Sequence, residues 1–187
     1  PDLDALGLPA MLRRLVDRSR GLLLVTGPTG SGKSTTLAAL VRHLICSHAL
    51  HVLTIEDPIE YRIECSGCPG GGRAIGHVSA REIGTDAPDF ASAVRAAMRQ
   101  DPDAIVIGEI RDRATMHAAL SAAETGHLVL GTLHTPNASE AVERVLSFFA
   151  PDEMTWARSV FANVLAAVLS QALVRRRDEP VQALVCE

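Results

Sequence analysis

Residues 22–35 read LLLVTGPTGSGKST, and the fold turns on how that stretch divides. The apolar run 22–25 predicts a buried strand. Residues 27–35, GPTGSGKST, fill the pattern G-x-x-x-x-G-K-[ST], with Gly27, Gly32, Lys33 and Ser34 at its defining positions. Residues 35–44 then predict a helix. A phosphate chain needs inward-pointing backbone N–H groups, and glycines let the loop curl closely around it. The N-terminus of the following helix adds a partial positive charge. Gly27, Pro28, Thr29, Gly30, Ser31, Gly32, Lys33, Ser34 and Thr35 are therefore the candidate cradle for ATP. Lys33 would reach the β- and γ-phosphates, and the Ser34 hydroxyl would bind Mg²⁺. A merely structural glycine turn with a solvated lysine would need neither the strand before it nor the helix after it.

Working outward, strands and helices alternate. Residues 8–16 predict a short helix with Pro9 in its first turn. A second strand is expected over 52–55, ending towards Pro58. Residues 65–76 are glycine-rich and are expected to form an exposed loop. Residues 89–99 predict a helix, with Phe90, Val94 and Met98 at spacing four on one face. A third strand is expected over 104–107, and a helix over 114–125 is closed by Gly126. A fourth strand is expected over 128–133, with helices over 139–149 and 152–173. Weak alternation over 181–185 suggests a last strand. The alternation predicts an α/β domain of the RecA-like P-loop type, a largely parallel sheet flanked by helices.

A phosphate loop alone does not hydrolyse anything; a second acidic group near Mg²⁺ and a group that positions water are required. Residues 104–112, AIVIGEIRD, deliver Glu109 to the carboxyl end of a strand, the edge where open α/β sheets bind ligands. Glu109 is the candidate partner of Ser34 for Mg²⁺, and a surface acid at a strand end is its bland alternative. Residues 54–61, TIEDPIEY, cluster Glu56, Asp57 and Glu60. Such carboxylates repel one another unless a cation or basic groups balance them. A solvated acidic turn is the alternative there. Residues 125–135, TGHLVLGTLHT, place His127 and His134 at either end of a strand. At that spacing a regular strand puts them on opposite faces, so spacing alone points weakly to a shared role.

The stretches GPTGSGKSTT, TIEDPIEY, DPDAIVIGEIRD and AAETGHLVLGTLHT follow one another in that order. They resemble the Walker A, Asp box, Walker B and His box of the secretion ATPase superfamily. ETGHLVLGTLHT followed by AVERVLSFF is most similar to its type IV pilus retraction branch. The resemblance runs from about Leu6 to the end of the chain. It implies a RecA-like C-terminal ATPase domain over residues 1–187, a piece of a longer protein with an N-terminal PAS-like domain and further C-terminal helices. It also implies a cytoplasmic hexamer working with an inner-membrane platform protein, in retraction, pilus extension or secretion. By the same resemblance Glu60 is the catalytic glutamate of the Asp box and Glu109 that of Walker B. His127 and His134 become groups near the γ-phosphate or at a subunit contact. Arg81, Arg95, Arg99, Arg111 and Arg113 are candidates for charge stabilisation across an interface.

Bulk properties set limits on this reading. The chain has 187 residues, 47% apolar, and a net charge of −4. That charge offers no general pull towards nucleic acid, and six aromatic residues are too few for a base-stacking surface. No nucleic-acid partner is expected. A nucleic-acid motor and a nucleotide switch without turnover are the rival classes. Cys46, Cys65, Cys68 and Cys186 beside a nucleotide site are expected to be reduced thiols. Cys65 and Cys68 with His77 fall a ligand short of tetrahedral zinc, so a mobile, metal-free loop is expected over 65–76. Arg175, Arg176 and Arg177 are expected in a solvated turn between two strands.

Overall fold

The computed structural model describes residues 2–63, 68, 72–175 and 182–187. Its centre is β1 (Gly21–Thr26), buried along its whole length. Leu22 and Leu24 enter one apolar cluster, Leu23 and Val25 the other. That is the two-residue period of a strand covered on both faces. Burying one such leucine contributes about 1.5–3 kcal/mol, so the run at 22–25 commits β1 to the middle of the domain.

Around it lie β2 (His51–Glu56), β3 (His77–Glu82), β4 (Ala104–Ile107), β5 (Leu128–Leu133), β6 (Leu165–Arg175) and β7 (Gln182–Cys186). The sheet order is β3-β2-β4-β5-β1-β6-β7. Every pairing is parallel except that of β7 with β6. On one face sit α1 (Met11–Val16) and α2 (Lys33–Ser47), through Leu12, Val16, Leu37, Leu40, Leu44 and Ile45. On the other sit α3 (Phe90–Ala97), α4 (Arg113–Glu124), α5 (Ala138–Ser147) and α6 (Met154–Val164). Asp89, Asp112 and Asn137 cap α3, α4 and α5, each side chain accepting a hydrogen bond from a first-turn backbone N–H. The architecture is the expected RecA-like α/β domain with helices on both faces of a mostly parallel sheet.

Two elements differ from the sequence reading. The stretch 152–173 is not one helix: α6 stops at Val164 and β6 begins at Leu165. The apolar residues of LAAVLSQALV suit either state, and β1 supplies the deciding partner, because its open edge takes β6 in parallel. Tertiary pairing overrides local propensity there. β3 carries His77, Arg81 and Glu82 in an otherwise short apolar pattern, which conceals an edge strand.

A third correction concerns the thiols. Cys46, in the last turn of α2, and Cys68 are joined in a disulfide with their Cα atoms 5.7 Å apart. A separation of 22 residues in sequence carries no signature of that pairing, because only the return of the chain after β2 brings the two together. Cys186 remains a thiol. The rest of the expected 65–76 loop falls mostly outside the described residues, as do Arg176 and Arg177. Among the described residues no helix is long and apolar enough to cross a membrane.

Candidate functional site

Four parallel strands, β1, β2, β4 and β5, end at the same edge of the sheet, and the candidate residues leave from those ends. After β1 comes the 27–35 loop. β2 ends on Glu56, with Asp57 and Glu60 following; after β4 come Glu109 and Arg111, and after β5 His134. Together with Tyr61 and Thr132 they line a cavity of about 570 Å³. This is the crevice beyond the carboxyl ends of the strands where open α/β sheets take ligands.

The loop curls around the lysine amine. Lys33 Nζ donates to the carbonyl oxygens of Gly27, at 2.9 Å, and Pro28, at 3.0 Å. Gly32 sits at φ +88° as the residue that enters α2, a left-handed conformation that a side chain would strain. A Cβ at Gly27 would drive into the carbonyl oxygen of Gln171. The loop is thus packed from behind as well as curled in front. A narrow backbone cradle at a helix N-terminus, with a buried amine inside it, is suited to a phosphate chain. Burial holds the Lys33 amine below the usual lysine range, with Glu109 and Glu60 opposing that fall.

Glu109 stands at the centre of a charged row. One carboxylate oxygen lies 2.9 Å from His134 Nε2 and the other 2.6 Å from the Arg111 guanidinium. His134 Nδ1 lies 3.5 Å from Lys33 Nζ. Burial pushes the Glu109 carboxyl upward, but the Arg111 hydrogen bond and the charges of His134, Arg111 and Lys33 together hold it below the usual carboxylate range. Glu109 is therefore an anion at neutral pH, and it lines the same cavity as Ser34; a carboxylate and a hydroxyl are oxygen donors of the kind Mg²⁺ favours. Burial raises the Glu56 carboxyl, and the charges of Glu60 and Glu82 add to the rise. Glu56 also accepts from the Glu60 backbone N–H at 3.4 Å, which ties the two acids together.

The structure separates the two histidines. His134 joins the cavity. His127 lies at the opposite edge of the sheet, before β5, where its Nδ1 is 3.0 Å from the Ala122 carbonyl oxygen and 3.4 Å from Thr125 Oγ1. Six strand residues, about 20 Å of extended chain, stand between them. A place for His127 beside the γ-phosphate of this chain's own site does not fit that geometry. Of the five arginines, Arg111 lines the cavity. Arg113 pairs with Glu153 on the outer face, and Arg81 bonds the Ala80 carbonyl and Gln100.

Several residues that hold the site escaped the sequence reading. Gln171, buried in β6, donates to the Ser31 carbonyl oxygen at 2.7 Å and accepts from Thr36 Oγ1 at 3.0 Å. Thr132 Oγ1 donates to the Gly108 carbonyl oxygen at 2.5 Å, pinning the turn that presents Glu109. Thr26 Oγ1 takes the Thr135 backbone N–H at 3.0 Å, locking the residue after His134 to the end of β1. Tyr61 Oη is 2.8 Å from Thr35 Oγ1. Ser170-Gln171, two polar residues inside an apolar run, were the available signal; in an assumed helix they read as interruptions rather than as anchors.

A curled lysine-bearing loop on the central strand, faced by acids from the ends of β2 and β4, defines a RecA-like domain with a nucleotide-sized site at its strand ends. The chain belongs to the Type II/IV secretion system protein family, whose model matches residues 4–184. It is 48% identical over 184 residues to the uncharacterized protein YggR of Escherichia coli, covering 98% of this chain and 54% of that one. It is 46% identical over 174 residues to the type IV pilus retraction ATPase PilT of Pseudomonas aeruginosa, covering 93% of this chain and 48% of PilT. A crystal structure of the pilus retraction motor PilT with bound ADP superposes with a TM-score of 0.91 at 42% identity, over 100% of this chain and 52% of that one. The chain thus spans about half the length of these two relatives.

Proposed function

We propose that this chain is the ATPase domain of a hexameric motor that hydrolyses ATP to drive type IV pilus retraction and twitching motility. The observation that carries the reading is the row Lys33, His134, Glu109 and Arg111, assembled from three strand ends at one cavity. The likeness to PilT supports retraction among the tasks of the family. The family description, which embraces type II and type IV secretion, supports export as the second reading.

In this proposal the backbone N–H groups of residues 27–35 and the Lys33 amine bind the phosphates. Ser34 and Glu109 would hold Mg²⁺, whose charge offsets that of the phosphate oxygens. Glu60, exposed at the cavity mouth, accepts the proton from the attacking water. His134, fixed between Glu109 and Lys33, orients the γ-phosphate region. His127, remote from that site, is left the role of a contact with a neighbouring copy. The motor would work at the cytoplasmic side of an inner-membrane platform protein, without nucleic acid.

Glu60→Gln and Glu109→Gln each keep shape and lose charge. Both are expected to retain ATP binding while steady-state hydrolysis by the full-length protein falls by about a hundredfold or more. Full turnover by Glu60→Gln would return the 56–61 acids to a structural role. Nucleic-acid-stimulated hydrolysis would favour the rival motor class.

A further inference from the structure

Far from the nucleotide cavity, the C-terminal ends of α1 and α2 meet in a cluster that the proposed ATPase does not use. Asp17 caps α1, its backbone N–H bonded to the Arg13 carbonyl oxygen. His48 caps α2, and His43 lies in the last turns of the same helix. Both imidazoles aim Nε2 at one oxygen, Asp17 Oδ1, each at 2.9 Å. The two rings stand nearly perpendicular, at 87°. All three donor atoms lie within 4.8 Å of one another.

From this geometry we propose that Asp17, His43 and His48 form a binding site for a divalent transition-metal ion of the zinc class. A tetrahedral zinc with bonds of about 2.0 Å places neighbouring donor atoms about 3.3 Å apart. The present separations reach that arrangement with small side-chain rotations. Two imidazole nitrogens and one carboxylate oxygen select zinc, copper or nickel over Mg²⁺ and Ca²⁺, which prefer all-oxygen shells. The side chains of Asp17 and His48 are 37% and 40% exposed, which leaves an open fourth position for water and a path for the ion.

Two surrounding features favour a cation there. Ser47 Oγ lies 3.4 Å from His43 Nδ1, the ring nitrogen that faces away from Asp17. With Nε2 on the metal, Nδ1–H donates to that hydroxyl, the usual outer support of a metal-bound imidazole. The last turn of α2 carries no lysine or arginine, so its negative dipole end is not already compensated by its own side chains. A bound ion would clamp the end of α1 to the far end of the helix that starts at Lys33.

The test uses the full chain, stripped with EDTA and free of nucleotide, and titrates it with Zn²⁺ by calorimetry. One equivalent is expected to bind with micromolar or tighter affinity and to raise the melting temperature. Asp17→Asn and His48→Gln should each weaken binding by more than about tenfold, and Ser47→Ala by about tenfold. His48→Gln alters an exposed cap, and its circular dichroism without metal establishes that it is folded. A paired Cys65→Ser, Cys186→Ser variant should bind Zn²⁺ as the parent does. Co²⁺ substitution should give tetrahedral visible bands without a thiolate charge-transfer band. No stoichiometric Zn²⁺, binding that survives both Asp17→Asn and His48→Gln, or a thiolate band would each overturn the site.

Discussion

Gln171 contributes to the loop through both ends of its amide, one on the Ser31 carbonyl and one on the Thr36 hydroxyl. Replacing it with leucine leaves two buried polar groups without that partner. Gln171→Leu is expected to lower stability by about 1–3 kcal/mol, read as a shifted urea midpoint, and to weaken ATP binding in the same preparation. An unchanged midpoint would mean that the amide is incidental. Glu56 behaves differently, because burial raises its carboxyl above the ordinary value of 4.5. The folded state therefore holds that proton more tightly than the unfolded state. The associated stability is present below 4.5 and is lost as the pH rises through the raised value. Glu56→Gln should accordingly melt higher than the parent at pH 7, and the difference should vanish below about pH 4.5. An equal advantage at both pH values would assign the effect to packing. Lys33, Ser34, Glu60 and Glu109 could be placed at the site from sequence because each follows a strand within a few residues. Gln171, Thr132 and Thr26 could not, since their partners are backbone oxygens and hydroxyls set by the register between strands.

At the scale of elements, β5 couples the two ends of the sheet. It presents His134 at the cavity, and Asn137 begins α5 just beyond. In the proposed function binding strength resides mainly in the loop after β1, whereas the polar contacts of His134 among the described residues are with Glu109 and Lys33. His134→Ala in the full-length protein is expected to leave ATP affinity within several-fold and to cut turnover by roughly a hundredfold. Measuring both on one preparation separates the alternatives: unchanged turnover makes the histidine structural, and lost affinity with a lowered melting temperature makes it part of the core. The strands with pure apolar runs, β1, β4 and β5, were legible because burial on both faces demands such runs. β6 was not, because residues 165–174 satisfy helical and extended patterns alike and only the vacant edge of β1 chooses between them. β3 was hidden for the opposite reason: as an edge strand it carries His77, Arg81 and Glu82 and buries none of its residues fully, so it lacks the apolar run that marks a central strand.

At the scale of the molecule, Arg111 is the arginine that lines the site among the described residues, and it is already paired with Glu109. A phosphoryl transfer site gains most from a guanidinium free to meet the developing charge, and in a ring a neighbour can bring one. The isolated chain should therefore hydrolyse ATP weakly, with specific activity rising as copies associate. Activity per mole that stays constant with dilution, in samples shown to be monomeric by light scattering, would falsify a shared site. The strand ends also explain why the fold and the site were legible together: the same alternation of strand and helix that builds the sheet gathers its acids at one edge. The disulfide between Cys46 and Cys68 lay outside that logic.

The contact between Gly27 and the backbone of Gln171 bears on portability. The nine residues 27–35 look like a cassette that could be moved between α/β scaffolds. Here the cassette is seated against the carbonyl of a strand far along the chain, and its Ser31 carbonyl is held by that strand's side chain. A protein engineer who transplants residues 27–35 without β6 would carry over the letters of the motif and leave behind the wall it leans on.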